Sequence, residues 1–147
     1  MSLSNDLREF LELLNARGVE YLVVGAHSLA FHGRPRYTGD LDVLVRPSKS
    51  NALMLVALLR EFGFTDSKFA PVDFDEGDQV IQLGRAPNRI DLLTSLTGVT
   101  NEDAFASKVA AEIDGIALFV LSKQHLIQNK RAVGRPQDLA DVAELEG

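Results

Sequence analysis

Three short apolar runs each carry a residue that a strand interior normally rejects, and these three residues constrain the chain more than any other feature. Tyr21-Leu22-Val23-Val24 stops at Gly25. Leu41 to Val45 begins directly behind Asp40 and contains Asp42. Arg89-Ile90-Asp91-Leu92-Leu93 holds an acid among aliphatic residues. A buried carboxylate is costly unless it is paired or bound to a metal. A fold that accepts all three runs as strands must therefore bring the acids to a place where their charge is answered.

The pattern between the runs sets the elements that connect them. Ser4 is placed to cap a helix, and Leu7, Phe10, Leu11 and Leu14 repeat on one helical face that ends at Arg17-Gly18. Glu20 to Val24 reads as a strand. Ala26 to Phe31 reads as a short helix, closed by Gly33 and by Pro35, which disfavours helix at Arg34. Leu41 to Val45 is apolar on both faces beyond Asp42, the mark of a covered central strand. Ser48 or Ser50 caps a helix to about Phe62, with Leu55, Leu58, Leu59 and Phe62 on one face. Leu53, Val56 and Ala57 make it apolar almost all round, which predicts deep packing.

Phe64 to Asp78 is irregular and acidic, and reads as a short edge strand and a loop. Val80 to Leu83 and Arg89 to Leu93 read as a hairpin. Thr100 or Asn101 caps a turn of helix through Phe105. Asp114-Gly115 between Lys108–Ile113 and Ile116–Leu121 is a strong hairpin signal. Ser122 caps a helix to about Val133, and Pro136 starts a last helix with Leu139, Val142 and Ala143 inward. The expectation is an α+β fold, a mixed β-sheet flanked by helices with a helical C-terminus, forming a single domain over residues 1–147.

Composition narrows the function classes. An apolar fraction of 46% with 24% charged residues is that of a globular protein. No apolar run approaches the roughly 20 residues that span a bilayer, and residues 1–8 lack the basic start and apolar segment of a signal peptide. Absence of cysteine excludes disulfides, a thiol nucleophile and thiolate–zinc sites, and fits a cytoplasmic location. A net charge of −6 argues against strong non-specific nucleic-acid binding, which needs a positive field.

Asp40 and Asp42 are two apart, so on a strand they point to one face, about 7 Å apart at Cα for a rise of roughly 3.3 Å per residue. A divalent cation bridges such a gap and relieves the repulsion. If the Asp91 strand lies beside Leu41–Val45, Asp91 completes a three-carboxylate cluster of the kind that holds two magnesium ions for in-line attack on a nucleoside triphosphate. The alternative reading makes Asp40 a turn cap, Asp42 a partner of Arg34 or Arg36, and Asp91 a structural ion pair. Gly25 ends a strand before a helix, where free N–H groups suit phosphate and Ser28 adds a hydroxyl. Neither GxGxxG nor GxxxxGK[ST] is present, so the Rossmann and P-loop readings fail. His27, His32 and His125 do not form a metal-binding pattern and read as packing or surface residues.

Together these residues resemble the DNA polymerase beta-like nucleotidyltransferase superfamily: an apolar strand, a glycine turn, a short helix, Asp-x-Asp on the next strand and a third acid on a later one. Val23-Val24-Gly25-Ala26, Asp40-Leu41-Asp42 and Asp91 carry the likeness. The closer likeness is to AbiEii-type and minimal (MNT-like) bacterial nucleotidyltransferases, through Arg36-Tyr37-Thr38-Gly39-Asp40-Leu41-Asp42 and a tail from Leu126 through Lys130 to Val142. The resemblance implies a Mg²⁺- or Mn²⁺-dependent transfer of an NMP group from an NTP to a hydroxyl of a protein, tRNA or small molecule. A place in a toxin–antitoxin pair, with a cognate partner protein, is also implied. It assigns Asp40, Asp42 and Asp91 as catalytic metal ligands, with Asp91 on the ion that activates the acceptor. Gly25, Ala26, Ser28, Arg36, Thr38 and Lys130 become nucleotide contacts. Ala26 stands where the family usually has Ser or Gly, so phosphate binding rests on backbone N–H groups and Ser28. The rival readings are a nucleotide-sensing or partner-binding module of the same fold, and a Mg²⁺-dependent nuclease or phosphatase using the same acids.

Overall fold

The computed structural model describes residues 3–33, 40–63, 69–84 and 89–147. Its elements run α1 (Asn5–Ala16), β1 (Tyr21–Val24), α2 (Gly25–Phe31), β2 (Leu41–Val45), α3 (Lys49–Phe62), a 3₁₀ turn (Pro71–Asp73), β3 (Val80–Leu83), β4 (Ile90–Leu93), α4 (Asn101–Ala106), β5 (Val109–Ile113), β6 (Ile116–Val120), α5 (Lys123–Val133) and α6 (Pro136–Glu146). The capping hydroxyls are those expected: Ser4, Ser48, Thr100 and Ser122 each accept from the backbone N–H three residues on. Each satisfies a helix N–H that has no intrahelical partner.

The six strands form one mixed sheet in the order β3-β4-β2-β1-β6-β5. β1 runs antiparallel to β2 and parallel to β6, and β2 runs parallel to β4. The outer pairs β3–β4 and β5–β6 are the two expected hairpin pairings. In the second, Asp114 and Gly115 both take positive φ, as a two-residue primed turn requires.

Alternation along the central strands divides the core in two. Val23, Val43 and Leu92 face α1 and α3, packing with Phe10, Leu11, Leu55 and Leu59. Leu22, Val24 and Leu44 face the other way, toward Leu29 of α2, Phe105 of α4 and Leu126 of α5. The parity that sends Leu44 and Leu93 to this second face also sends Asp42 and Asp91 there. Buried Asn51, at the start of α3, ties the ends of β1 and β2 together. It accepts from Glu20 N–H at 2.8 Å and donates to the carbonyls of Glu20 and Arg46 at 3.0 and 2.9 Å.

Two expectations are corrected, and a third falls partly outside the described residues. α3 is not packed all round: Leu53 is 60% exposed and Ala57 also faces solvent, because the helix lies on one sheet face and nothing covers its outer side among the described residues. Of the Phe64–Asp78 stretch expected to hold a short edge strand and a loop, residues 64–68 lie outside the described residues, and residues 69–78 hold no strand; Pro71 fixes a 3₁₀ turn that Asp73 closes by accepting from Ala70 N–H at 2.9 Å. In α6 the inward residues are Asp138, Asp141, Val142 and Leu145, whereas Leu139 is 50% exposed and Ala143 is exposed. The cause is Lys130 of α5. Its buried ammonium lies 3.0 Å from Asp141 and 3.5 Å from Asp138, and this ion pair, not the apolar pattern, rotates the helix. Gln137 donates to the second oxygen of Asp141, and Arg135 hydrogen-bonds Asp138 and holds its carboxyl below the usual range.

Breaking a buried pair leaves an uncompensated charge that costs about 3–5 kcal/mol. Lys130→Met is therefore expected to lower the thermal midpoint by roughly 10 °C in calorimetry without any nucleotide. A variant that unfolds like the wild type would remove the structural role given to Lys130.

Candidate active site

The parallel register of β2 and β4 places Leu41 beside Ile90 and Asp42 beside Asp91. Extending it back by one residue sets Asp40 beside Arg89, and Leu41 N–H donates to the Arg89 carbonyl at 2.9 Å. The result is a two-by-two block on one sheet face: Asp40 and Arg89 in one row, Asp42 and Asp91 in the next. The geometric expectation from the spacing is met in this respect, since the two strands are neighbours and the carboxylates share the α2 side.

The charges in the block are unevenly matched. Arg89 Nη2 lies 3.2 Å from Asp40 Oδ2 and donates to Asp91 Oδ2 at 3.2 Å, while Nε lies 3.1 Å from Asp91 Oδ1. One guanidinium thus joins two carboxylates by its fork. Asp42 is left to share a hydrogen bond with Asp91, and burial followed by the charge of Asp91 raises its pKa to about 6. Asp91 is the most enclosed of the ion-paired acids here, its side chain 13% exposed against 34% for Asp40.

Gly25 explains why Asp42 stays there. Its φ of +66° is in the left-handed region, and a Cβ at this position would meet Asp42 Oδ2 at 2.2 Å and its Cβ and Cγ at 3.0 Å. The glycine lets the backbone at the start of α2 press against the carboxyl group. Sequence reasoning took Gly25 for a phosphate turn; its observed close contact is with an acid. No side chain caps α2, and Ala26 next to Gly25 is half-buried. Ser28 is fully buried one turn on, and its Oγ has no hydrogen-bond partner among the described residues.

The remaining candidates fall elsewhere. Lys130 is committed to Asp138 and Asp141 of α6. Arg36 and Thr38, with Arg34, lie outside the described residues. Of the histidines, His27 is buried, which lowers its pKa; His32 Nε2 meets the Leu121 carbonyl at 2.7 Å, and His125 Nδ1 meets Ser107 Oγ at 2.7 Å. The residue that sequence reasoning missed is Arg89. Its signal was present: Arg89 and Asp91 are two apart on a strand and must share a face.

As a donor set, three carboxylates suit a hard divalent cation such as Mg²⁺ or Mn²⁺, and Asp42 is raised first by burial and then by the charge of Asp91. As placed, no three metal-ligating side chains among the described residues are grouped closely enough to hold an ion, and the Arg89 guanidinium contacts both Asp40 and Asp91.

The architecture has solved counterparts. A Thermotoga maritima protein assigned as a nucleotidyltransferase superposes with a TM-score of 0.64 at 19% identity, over 94% of this chain and 88% of that one. The lincosamide antibiotic adenylyltransferase LnuA, solved with lincomycin bound, gives 0.59 at 10% identity over 100% and 99% of the two chains. The antibiotic-resistance factor ANT(2'')-Ia gives 0.53 at 12% identity over 95% and 80%. The fold is the nucleotidyltransferase fold. No family model and no curated protein sequence matches the chain. Among the described residues no helix is long and apolar enough to cross a membrane.

Two outcomes follow from this geometry. Gly25→Ala forces Asp42 to move and strains the backbone; a drop of about 1–3 kcal/mol in stability is expected by denaturant titration, and wild-type stability would show that the close approach is absent. The second concerns pH. Between the unfolded value of 3.8 and the folded value of about 6, the native protein holds the Asp42 proton and the unfolded chain does not. Stability is therefore lost as pH rises through that window, by up to about 3 kcal/mol. Asp42→Asn is expected to raise the thermal midpoint of the metal-free protein by several degrees at pH 8 and by little at pH 4.5. Equal effects at both values would contradict the buried, repelled carboxylate.

Proposed function

We propose that the chain is a divalent-cation-dependent nucleotidyltransferase that moves a nucleoside monophosphate from a triphosphate to a hydroxyl group. The observation that carries this reading is the pairing of Asp42 with Asp91 across β2 and β4, on the face of α2 and with Gly25 pressed against Asp42. Asp40, Asp42 and Asp91 are the ligands we assign to Mg²⁺ or Mn²⁺. When bound, the cations supply Lewis-acid activation of the hydroxyl and neutralise the polyphosphate. The acceptor hydroxyl gives up its proton to solvent, its oxygen bonds to the α-phosphorus, the bond from that phosphorus to the β-phosphate oxygen breaks, and pyrophosphate leaves. Gly25 and Ala26 offer backbone N–H groups at an uncapped helix start, with Ser28 behind them. Arg36, Thr38 and Lys130 complete the nucleotide contacts that the resemblance assigns, Lys130 only if it leaves its α6 partners.

For the acceptor we favour a small hydroxylated molecule. LnuA and ANT(2'')-Ia, whose names tie them to antibiotics, share the fold over nearly the whole of this chain. A protein or tRNA acceptor, and a toxin–antitoxin partnership of the AbiEii or MNT kind, are the competing assignments.

Incubation with NTPs labelled at the α-phosphate, Mg²⁺ or Mn²⁺ and a panel of small hydroxylated molecules, tRNA and proteins is expected to give metal-dependent label transfer with pyrophosphate release. Asp42→Asn and Asp91→Asn are each expected to reduce it by roughly a thousandfold or more. Release of inorganic phosphate or cut nucleic acid instead selects the hydrolase reading. Binding of Mg·ATP without pyrophosphate release selects a nucleotide-sensing module, a reading that the Arg89 bridge and Ala26 favour.

A further inference from the structure

The row that pairs Asp42 with Asp91 continues onto the edge strand. β3 runs antiparallel to β4, with Gln82 opposite Asp91 and Val80 opposite Leu93. Residues paired across a sheet share a face. Val24, Asp42, Asp91 and Gln82 therefore form one row on the α2 side, and Leu44, Leu93 and Val80 form the next. Exposure rises along both rows toward β3. Val24 is buried, the two acids are half-buried and Gln82 is exposed. Leu44 is buried, Leu93 is half-buried and Val80 is 62% exposed. The acids are thus walled on the β1 side, where Gly25 of α2 presses on Asp42, and open on the β3 side. The open side is a small shelf: a neutral amide whose Cβ lies about 5 Å from that of Asp91, and an isopropyl group behind it.

The two substrates need different sides of the acids. In phosphoryl transfer the attacking and leaving oxygens lie roughly in line, on opposite sides of phosphorus. The function proposed above gives the polyphosphate to the backbone N–H groups of Gly25 and Ala26, beside Asp42. The attacking hydroxyl then arrives from the other side, across β3. Resting on that transfer reading, we infer that the Gln82–Val80 shelf recognises the acceptor, and that the acceptor is a ring bearing two adjacent hydroxyl groups. A carboxamide accepts through its oxygen and donates through its nitrogen, so Gln82 engages a vicinal pair at two points. It carries no charge and adds no repulsion to Asp91. Val80 meets the apolar face of the ring. Gln82 is thus a specificity-determining residue: it selects the hydroxyl pair and sets one oxygen of the pair beside Asp91.

The test is binding of vicinal trans-cyclohexanediol, without nucleotide or metal, with cyclohexanol as the comparison. Binding is followed by heteronuclear NMR on the backbone amides of Val80, Gln82 and Leu93 and on the Gln82 side-chain amide. The wild type is expected to show saturable shifts at these signals and to bind the diol more tightly than cyclohexanol. Gln82→Met keeps the side-chain length and removes both hydrogen-bonding groups. It is expected to weaken diol binding by roughly fivefold or more and to abolish the preference over cyclohexanol. Val80→Ser is expected to weaken both compounds alike. Absence of shifts at β3 in the wild type, or wild-type diol affinity in Gln82→Met, overturns the inference. If Gln82→Met fails to fold, Gln82→Ser decides on the same criterion. Label transfer is a separate measurement. If label is transferred and the diol ignores the shelf, only the shelf falls. If the diol binds through Gln82 and no molecule of the acceptor panel takes label, the transfer reading falls and the acceptor role with it.

Discussion

Repulsion between Asp42 and Asp91 is the constraint around which the centre of this molecule is arranged. Two carboxylates directly opposed on adjacent parallel strands are unfavourable, and partial burial makes them more so. Three features answer the charge or hold it in place. Asp42 is pushed toward protonation and shares a hydrogen bond with Asp91. Arg89 gathers Asp91 and Asp40 with one guanidinium. Gly25 leaves out the side chain that would collide with Asp42. An apolar pair at these positions would make a more stable sheet. The retained charge is therefore informative about function, since perturbed acids concentrate where chemistry or binding needs them.

The second buried charge cluster works differently. Lys130, Asp138 and Asp141 are matched within hydrogen-bonding distance or close to it, and Gln137 and Arg135 satisfy the oxygens that remain. That cluster joins α5 to α6 and has its charges answered in place. The acid block holds Asp42 with a raised pKa and shares a half-exposed arginine between Asp40 and Asp91. One is closed and structural in character; the other is open.

Much of the fold was legible because its signals are local. Gly-terminated apolar runs gave the strands, hydroxyls three residues ahead of a free N–H gave the caps, and Asp114-Gly115 gave a hairpin. The candidate acids were legible for a related reason: a carboxylate inside an apolar strand violates the binary pattern, and such violations stand out. What escaped depended on partners distant in sequence. The inward face of α6 follows from Lys130 on another helix, so Leu139 and Ala143 looked buried on apolarity alone. The exposure of Leu53 follows from how α3 lies on the sheet, and no periodicity shows that. Asn51 carries no local signal in the sequence, yet it stitches together two strands. Arg89 was visible beside Asp91, but which acid it serves besides its neighbour required the register with Asp40.

The parallel pairing of β2 and β4 has a kinetic consequence. Parallel neighbours cannot be joined by a tight turn, and here α3, the 3₁₀ turn and β3 all intervene between Asp42 and Asp91. The acids meet only when a segment of about fifty residues has closed, a non-local step that loop entropy makes slow. Helix α1, the β5–β6 hairpin and the α5–α6 pair form from contacts much nearer in the chain. The electrostatic penalty of the site thus falls on the long-range closure and leaves local assembly untouched. Bulk salt, by screening that late encounter, would act on the rate at which the finished sheet appears more than on its parts.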